Sequence, residues 1–132
     1  MYNKVGNILS TTDAVGNKTS YLYDKNNRRI QVTDAKLGTT KTGYDTVGNV
    51  ATITDSVNNT TTYSYDAVDR LITDTNQLGK SRTRSYDNVG NLIQTTDRNG
   101  RKVAYNYDTL NRQTSERWLD SRQFHCVVGR HA

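Results

Sequence analysis

"YDNVGNLIQTTD" (Tyr86–Asp97) and "YNKVGNILSTTD" (Tyr2–Asp13) are nearly the same phrase, written 84 residues apart in a chain of 132. Neither copy holds a nucleophile elbow, a metal cluster or a phosphate loop, so the repetition itself is the informative feature. Each copy passes from a Tyr through a Gly-Asn step into a short aliphatic, Thr-rich stretch. Gly and Asn tolerate the positive φ that tight hairpin turns need. The stretch that follows suits a pleated, half-buried strand.

Outward from these copies, tyrosines stand at 2, 23, 44, 65, 86 and 107, a fixed step of 21 residues. Asn3, Asp24, Asp45, Asp66, Asp87 and Asp108 follow them. A fixed period of this size signals stacked units, each burying its face only against its neighbours. A doubled rhythm lies on top. The turn pair alternates as Gly6-Asn7, Asn27-Arg28, Gly48-Asn49, Asp69-Arg70, Gly90-Asn91 and Asn111-Arg112. The position two before each later tyrosine reads Tyr21, Thr42, Tyr63, Arg84 and Tyr105. Tyr2 and Tyr86 therefore open units of the same parity.

Each unit reads as two strands and two turns. After Tyr86-Asp87 the turn "NVGN" (Asn88–Asn91) leads into the strand "LIQTTD" (Leu92–Asp97). The turn "RNGR" and the strand "KVAYNYD" complete the unit, and "AVGN" (Ala14–Asn17) and "VNN" (Val57–Asn59) are similar second turns. Tyr105 and Tyr107 project from one side of their strand, as do Tyr21/Tyr23 and Tyr63/Tyr65. Adjacent aliphatic positions (Ile8-Leu9, Val50-Ala51, Leu71-Ile72, Leu92-Ile93) leave open which of them faces inward. Proline is absent and no helical period persists. The expected fold is all-β: an array of antiparallel hairpins with about eleven or twelve strands. Open sheets rarely exceed about ten strands without curling, so a curved sheet is expected, with end strands liable to pair with another chain.

"YSYDAVDRL" (Tyr63–Leu71), "YDNVGNL" (Tyr86–Leu92) and "YNYDTLNRQ" (Tyr105–Gln113) resemble the YD, or Rhs, repeats of Rhs proteins, insecticidal toxin complex C components and teneurins. The resemblance covers residues 1–120; residues 121–132 lack the Tyr-Asp step and form a non-repeat tail. It implies a segment of a hollow β-shell, which in the bacterial toxins encloses an effector. Tyr23, Tyr44, Tyr65, Tyr86 and Tyr107 match the family tyrosine, and Asp24, Asp45, Asp66, Asp87 and Asp108 its aspartate. The implied roles are wall packing for the tyrosines and turn binding for the aspartates. Implied partners are the remaining repeats of a larger Rhs-type shell, or a second copy meeting open sheet edges. A secreted or cell-surface setting is also implied, although this chain shows no signal-peptide pattern. The family's proline-bearing release segment has no counterpart, so effector release is carried to no residue. The tail reads as a cap, a linker or the end of a truncated frame.

Composition narrows the function. Only 33% of residues are hydrophobic, enough for one thin apolar layer. No apolar run reaches membrane-spanning length. The net charge of +5 is spread along the repeats without a focus, so no nucleic-acid function is expected. Asp13, Asp34, Asp55 and Asp97 each precede a turn, where Asx side chains bond nearby amides. That reading is preferred to a calcium site, since the EF-hand and glycine-rich nonapeptide patterns are missing. His125, Cys126 and His131 make neither a Cys–His pair nor a zinc set. No catalytic, metal or cofactor residue is expected, and no enzyme. Two further readings are kept: a binding module using Tyr21, Tyr63 and Tyr105 on carbohydrate or a surface protein, and a truncated remnant without independent function.

Overall fold

In the computed structural model, residues 1–119 are described in full and residues 124–127 as strand backbone. The chain divides into two compact units, Met1–Tyr63 and Ser64–Ala132. The first contains β1 (Ser10–Thr12), β2 (Lys18–Tyr23), β3 (Arg29–Thr33), β4 (Thr39–Tyr44), β5 (Val50–Thr54) and the paired part of β6 (Thr60–Tyr65). The second contains β7 (Leu71–Thr75), β8 (Ser81–Tyr86), β9 (Leu92–Thr96), β10 (Lys102–Tyr107), β11 (Gln113–Leu119) and β12 (Phe124–Val127). Among the described residues there are no helices.

Within each unit every strand pairs antiparallel with its chain neighbour, as in β2–β3 (Tyr21 opposite Val32) and β10–β11 (Val103 opposite Trp118). Such a meander follows from the turns. Eleven five-residue turns occur among the described residues, each closed by the amide of its first residue donating to the carbonyl of its fifth. The fourth residue of each lies at positive φ: Gly at six of them, Asn or Asp at four, and Leu37 at one. This is a type I turn followed by a left-handed residue, a geometry that carries a three-residue hairpin loop. An Asp or Asn heads all eleven, and its Oδ1 accepts from the amides of the third and fifth residues, as Asp66 does from Val68 and Arg70.

Burial is sparse. Among the described residues only Val103 and Asp74 are buried, at 7% and 5% exposure. Most strand residues are half-buried, with Tyr63 and Tyr65 more covered than the Ser64 between them. Val50-Ala51 and Leu71-Ile72 are half-buried at both members, while Ile93 is exposed. A domain ordinarily buries its apolar faces between two packed layers; each unit here is a single layer.

Candidate functional site

The repeat tyrosines are tied to the unit behind them. The Tyr23 hydroxyl donates to the Ile8 carbonyl at 2.9 Å and Tyr44 to Arg29 at 2.9 Å in the first unit. In the second, Tyr86 donates to Leu71 at 3.0 Å and Tyr107 to Leu92 at 2.8 Å. Each bond spans fifteen residues and lands on the carbonyl just before, or opening, the strand that follows the previous Tyr-Asp turn. A register shift immediately before each of these tyrosines re-aims its ring. Desolvation pushes the Tyr107 hydroxyl above its ordinary value of 10.0, with nearby Tyr105 and Asp87 adding to it. The next residue, the aspartate, binds the turn. Backbone donation from Arg70 holds the Asp66 carboxyl below its ordinary value of 3.8, partly offset by desolvation, with the Arg70 side chain adding to the fall.

The alternation of turn pairs has a geometric cause. In an Arg turn the guanidinium binds its own aspartate, Arg70 Nε donating to Asp66 Oδ2 at 2.7 Å, and reaches forward over the next tyrosine. Arg28 lies 4.4 Å from the Tyr44 ring centroid and Arg70 lies 4.7 Å from that of Tyr86. The turn above lies against the same guanidinium. A Cβ on Gly48 or Gly90 would meet it at an ordinary contact distance of 3.9 Å, so the positive φ of both glycines, and not the space, is what favours glycine there. In a Gly-Asn turn the amide replaces the guanidinium: Asn91 Nδ2 donates to Asp87 Oδ2 and onward to Asn111 Oδ1 at 3.1 Å. Arg and Asn turns therefore interlock as unlike neighbours.

A family model for the teneurin YD-shell matches residues 1–125. The chain belongs to the YD-shell family. A 22%-identical chain of the Photorhabdus luminescens Tc holotoxin pore, a TccC3 mutant, superposes with a TM-score of 0.75 over 89% of this chain. The TcdB2–TccC3 crystal structure is 16% identical with a TM-score of 0.50, again over 89%. This chain spans only 6% and 9% of those two chains. Among curated proteins no sequence matches it. At these identities the likeness shows the fold: a stretch of YD-shell wall.

In this YD-shell segment two further features stand out. The first is a row of aliphatic turn tips. Val15 and Val57, third residues of second turns in the first unit, are exposed by 82% and 71%. The turn between them has Lys36 at that place and Leu37, exposed by 81%, one residue later. Val68, Val89 and Leu110 cap successive Tyr-Asp turns of the second unit and are exposed too. The second feature is a buried charge. Asp74 Oδ1 accepts from Arg84 Nη1 at 2.9 Å, and its Oδ2 accepts from Arg98 Nη2. Arg84, Thr95, Val103 and Trp118 then form one cross-strand row over β8 to β11. They line a cleft of about 370 Å³ with Arg82 and Tyr105.

The sequence reading singled out Tyr21, Tyr63 and Tyr105 as a possible binding face. All three are half-buried. Tyr21 on β2 and Tyr63 on β6 stand four strand spacings apart, about 19 Å, with Val32, Thr42 and Ile53 between them; they form no joint aromatic surface. Tyr105 lines the cleft of the second unit. That reading overlooked Asp74, Arg98 and Trp118. The signal was present: Thr11, Val32, Ile53 and Thr95 occupy the positions equivalent to Asp74, so a charged side chain there breaks the internal pattern. Among the described residues no group of His, Cys, Asp and Glu is placed to hold a metal. The expectations for His125, Cys126, His131 and the 121–132 tail fall outside the described residues, β12 being described as backbone alone.

Proposed function

We propose that this chain is a non-enzymatic wall segment of a larger secreted or cell-surface YD shell, whose remaining repeats cover the turn tips and whose interior encloses a toxin or effector. The carrying observation is the Leu37 turn. A left-handed backbone costs a non-glycine residue roughly 1–2 kcal/mol, yet Leu37 accepts it at φ 65° and leaves its side chain in solvent. An aliphatic side chain is kept at this turn tip, beside a Lys36 that stands in the place of Val15 and Val57, at the expense of local strain. That makes sense where another strip of turns lies against it, removing apolar area worth about 25 cal/mol per Å².

The test is a chimaera. Units Tyr23 to Tyr107 replace the equivalent four units in an intact YD-shell protein of the toxin type. The shell reading expects a chimaera as protease-resistant as its parent, and expects resistance to fall when the aliphatic tips Leu37, Val57 and Leu78 become Ser. A chimaera that folds but is cleaved as readily as an open sheet, with tip changes making no difference, overturns it.

A further inference from the structure

We propose that the cleft of the second unit is a binding site for a short acidic oligosaccharide, its anionic group held at Arg82 and Arg84 and a pyranose ring stacked on Trp118. The argument begins with Asp74. At the positions equivalent to Asp74 the array carries Thr11, Val32, Ile53 and Thr95, and where Arg84 stands it carries Tyr21, Thr42, Tyr63 and Tyr105. A buried ion pair is seldom more stable than apolar residues of similar volume. An array that fills these places with uncharged Val, Ile, Thr and Tyr elsewhere does not need a buried Asp–Arg pair for its stability. The exchange fits a demand of binding.

The charges are unbalanced at this end. Asp74 is shared by Arg84 and Arg98, and Arg82 stands directly opposite it across β7–β8. Two guanidiniums bind one carboxylate and Arg82 faces it across the ladder. The cleft lining adds the Arg101–Asp97 ion pair, which balances itself, and Glu116, so Arg82 is the cation left over. Arg82 makes no ion pair among the described residues, and the buried Arg98 Nε lacks a hydrogen-bond partner there. Arg84 is held in place by its bond to a buried carboxylate, which pre-sets its remaining donors. A carboxylate or sulfate fits that fork geometry.

The row running away from Arg84 sets the rest of the ligand. Thr95 and Val103 are small and form the floor; Trp118, 44% exposed, closes the far side. Three strand spacings separate Arg84 from Trp118, about 14 Å. Tyr105 and Glu116 are paired across β10–β11 beside the row. Guanidiniums only donate and carboxylates only accept. Both kinds lie beside an aromatic face, and hydroxyl groups, which do both, answer to that mixture. A flat apolar peptide would leave Glu116 unanswered.

Trp118 is the chain's single tryptophan, so its fluorescence reads this site directly. The full chain is titrated with trigalacturonate, a sulfated heparin disaccharide, maltotriose and triglutamate, with circular dichroism as the control for folding. A saturable emission change with trigalacturonate or the sulfated sugar is expected, about tenfold or more tighter than with maltotriose. Arg84→Gln and Arg82→Gln should each weaken it by about tenfold, the size of a lost charge-assisted bond. Arg82 is exposed, so its variant decides the matter should Arg84→Gln fail to fold. No saturable change overturns the proposal, as does equal affinity for maltotriose or triglutamate, or an Arg82→Gln variant that binds unchanged.

Discussion

The repeat tyrosine does more than fill space, and its hydroxyl is the atom to remove. Tyr86→Phe keeps the ring under Arg70 but strands the Leu71 carbonyl that the hydroxyl serves at 3.0 Å. Urea unfolding should show a loss of about 1 kcal/mol, the net worth of one such bond. No loss would mean that water replaces the hydroxyl freely. Leu37 makes the opposite case. Glycine relieves its left-handed strain, so Leu37→Gly should stabilise the isolated chain by roughly 0.5–1 kcal/mol, after the extra entropy of an unfolded glycine is subtracted. A destabilised variant would show that the exposed Leu37 side chain has a contact worth more than its strain. Neither effect was legible beforehand. A fifteen-residue hydroxyl contact leaves no mark in spacing, and leucine is not a residue that announces positive φ.

At the scale of the element, the turn is the organising unit, and the sequence reveals most of it. The period, the Asx heads and the Gly or Asn partners of Asp87 and Asp55 all mark hairpins, because only a few residues tolerate that backbone. The closed turn begins one residue earlier than the "NVGN" stretch suggests, at Asp87, since its amide bonds the Asn91 carbonyl at 2.9 Å. The meaning of the alternation stayed hidden, because it is a contact between units. Arg70→Lys keeps charge but loses the fork that grips Asp66 and stacks on Tyr86. In a double-mutant cycle with Tyr86→Leu a coupling of about 0.5–1 kcal/mol is expected. Arg112→Lys should cost less, since Arg112 has no ring beneath it among the described residues. A coupling near zero would reduce the alternation to turn preference alone. The aspartates add a pH dependence. Hydrogen bonds from Asn17, chiefly its side chain, lower the Asp13 carboxyl, and the Arg28 amide leads the fall at Asp24. Carboxyls depressed by folding stabilise above their unfolded value, and that share is lost as pH falls through the folded value. Thermal midpoints should hold steady above pH about 5 and drop below the ordinary 3.8. Asp66→Asn should flatten that drop, and an unchanged acid limb would remove the turns as its source.

For the molecule as a whole, the question is what covers a single layer. An all-β repeat array was readable from period and composition because both are local properties. The lack of a second layer was foreshadowed by a 33% hydrophobic content, but which residues would remain bare depended on the turn geometry. With only Val103 and Asp74 buried among the described residues, little apolar area offsets the entropy of ordering the chain. Surface valines in a self-sufficient monomer can be changed at a cost within about 0.5 kcal/mol. Tips that await another strip behave differently. Melting followed by far-UV circular dichroism should give a midpoint that rises with protein concentration, as association stabilises the folded form by mass action. Val15→Ser with Val57→Ser should abolish that rise while leaving the midpoint at the lowest concentration nearly unchanged. In the second unit Val68→Ser with Val89→Ser should act the same way. A cooperative transition independent of concentration, indifferent to all four changes, would mean that each unit is stable with its aliphatic tips in water. The rows would then be a property of the turn and not a seam.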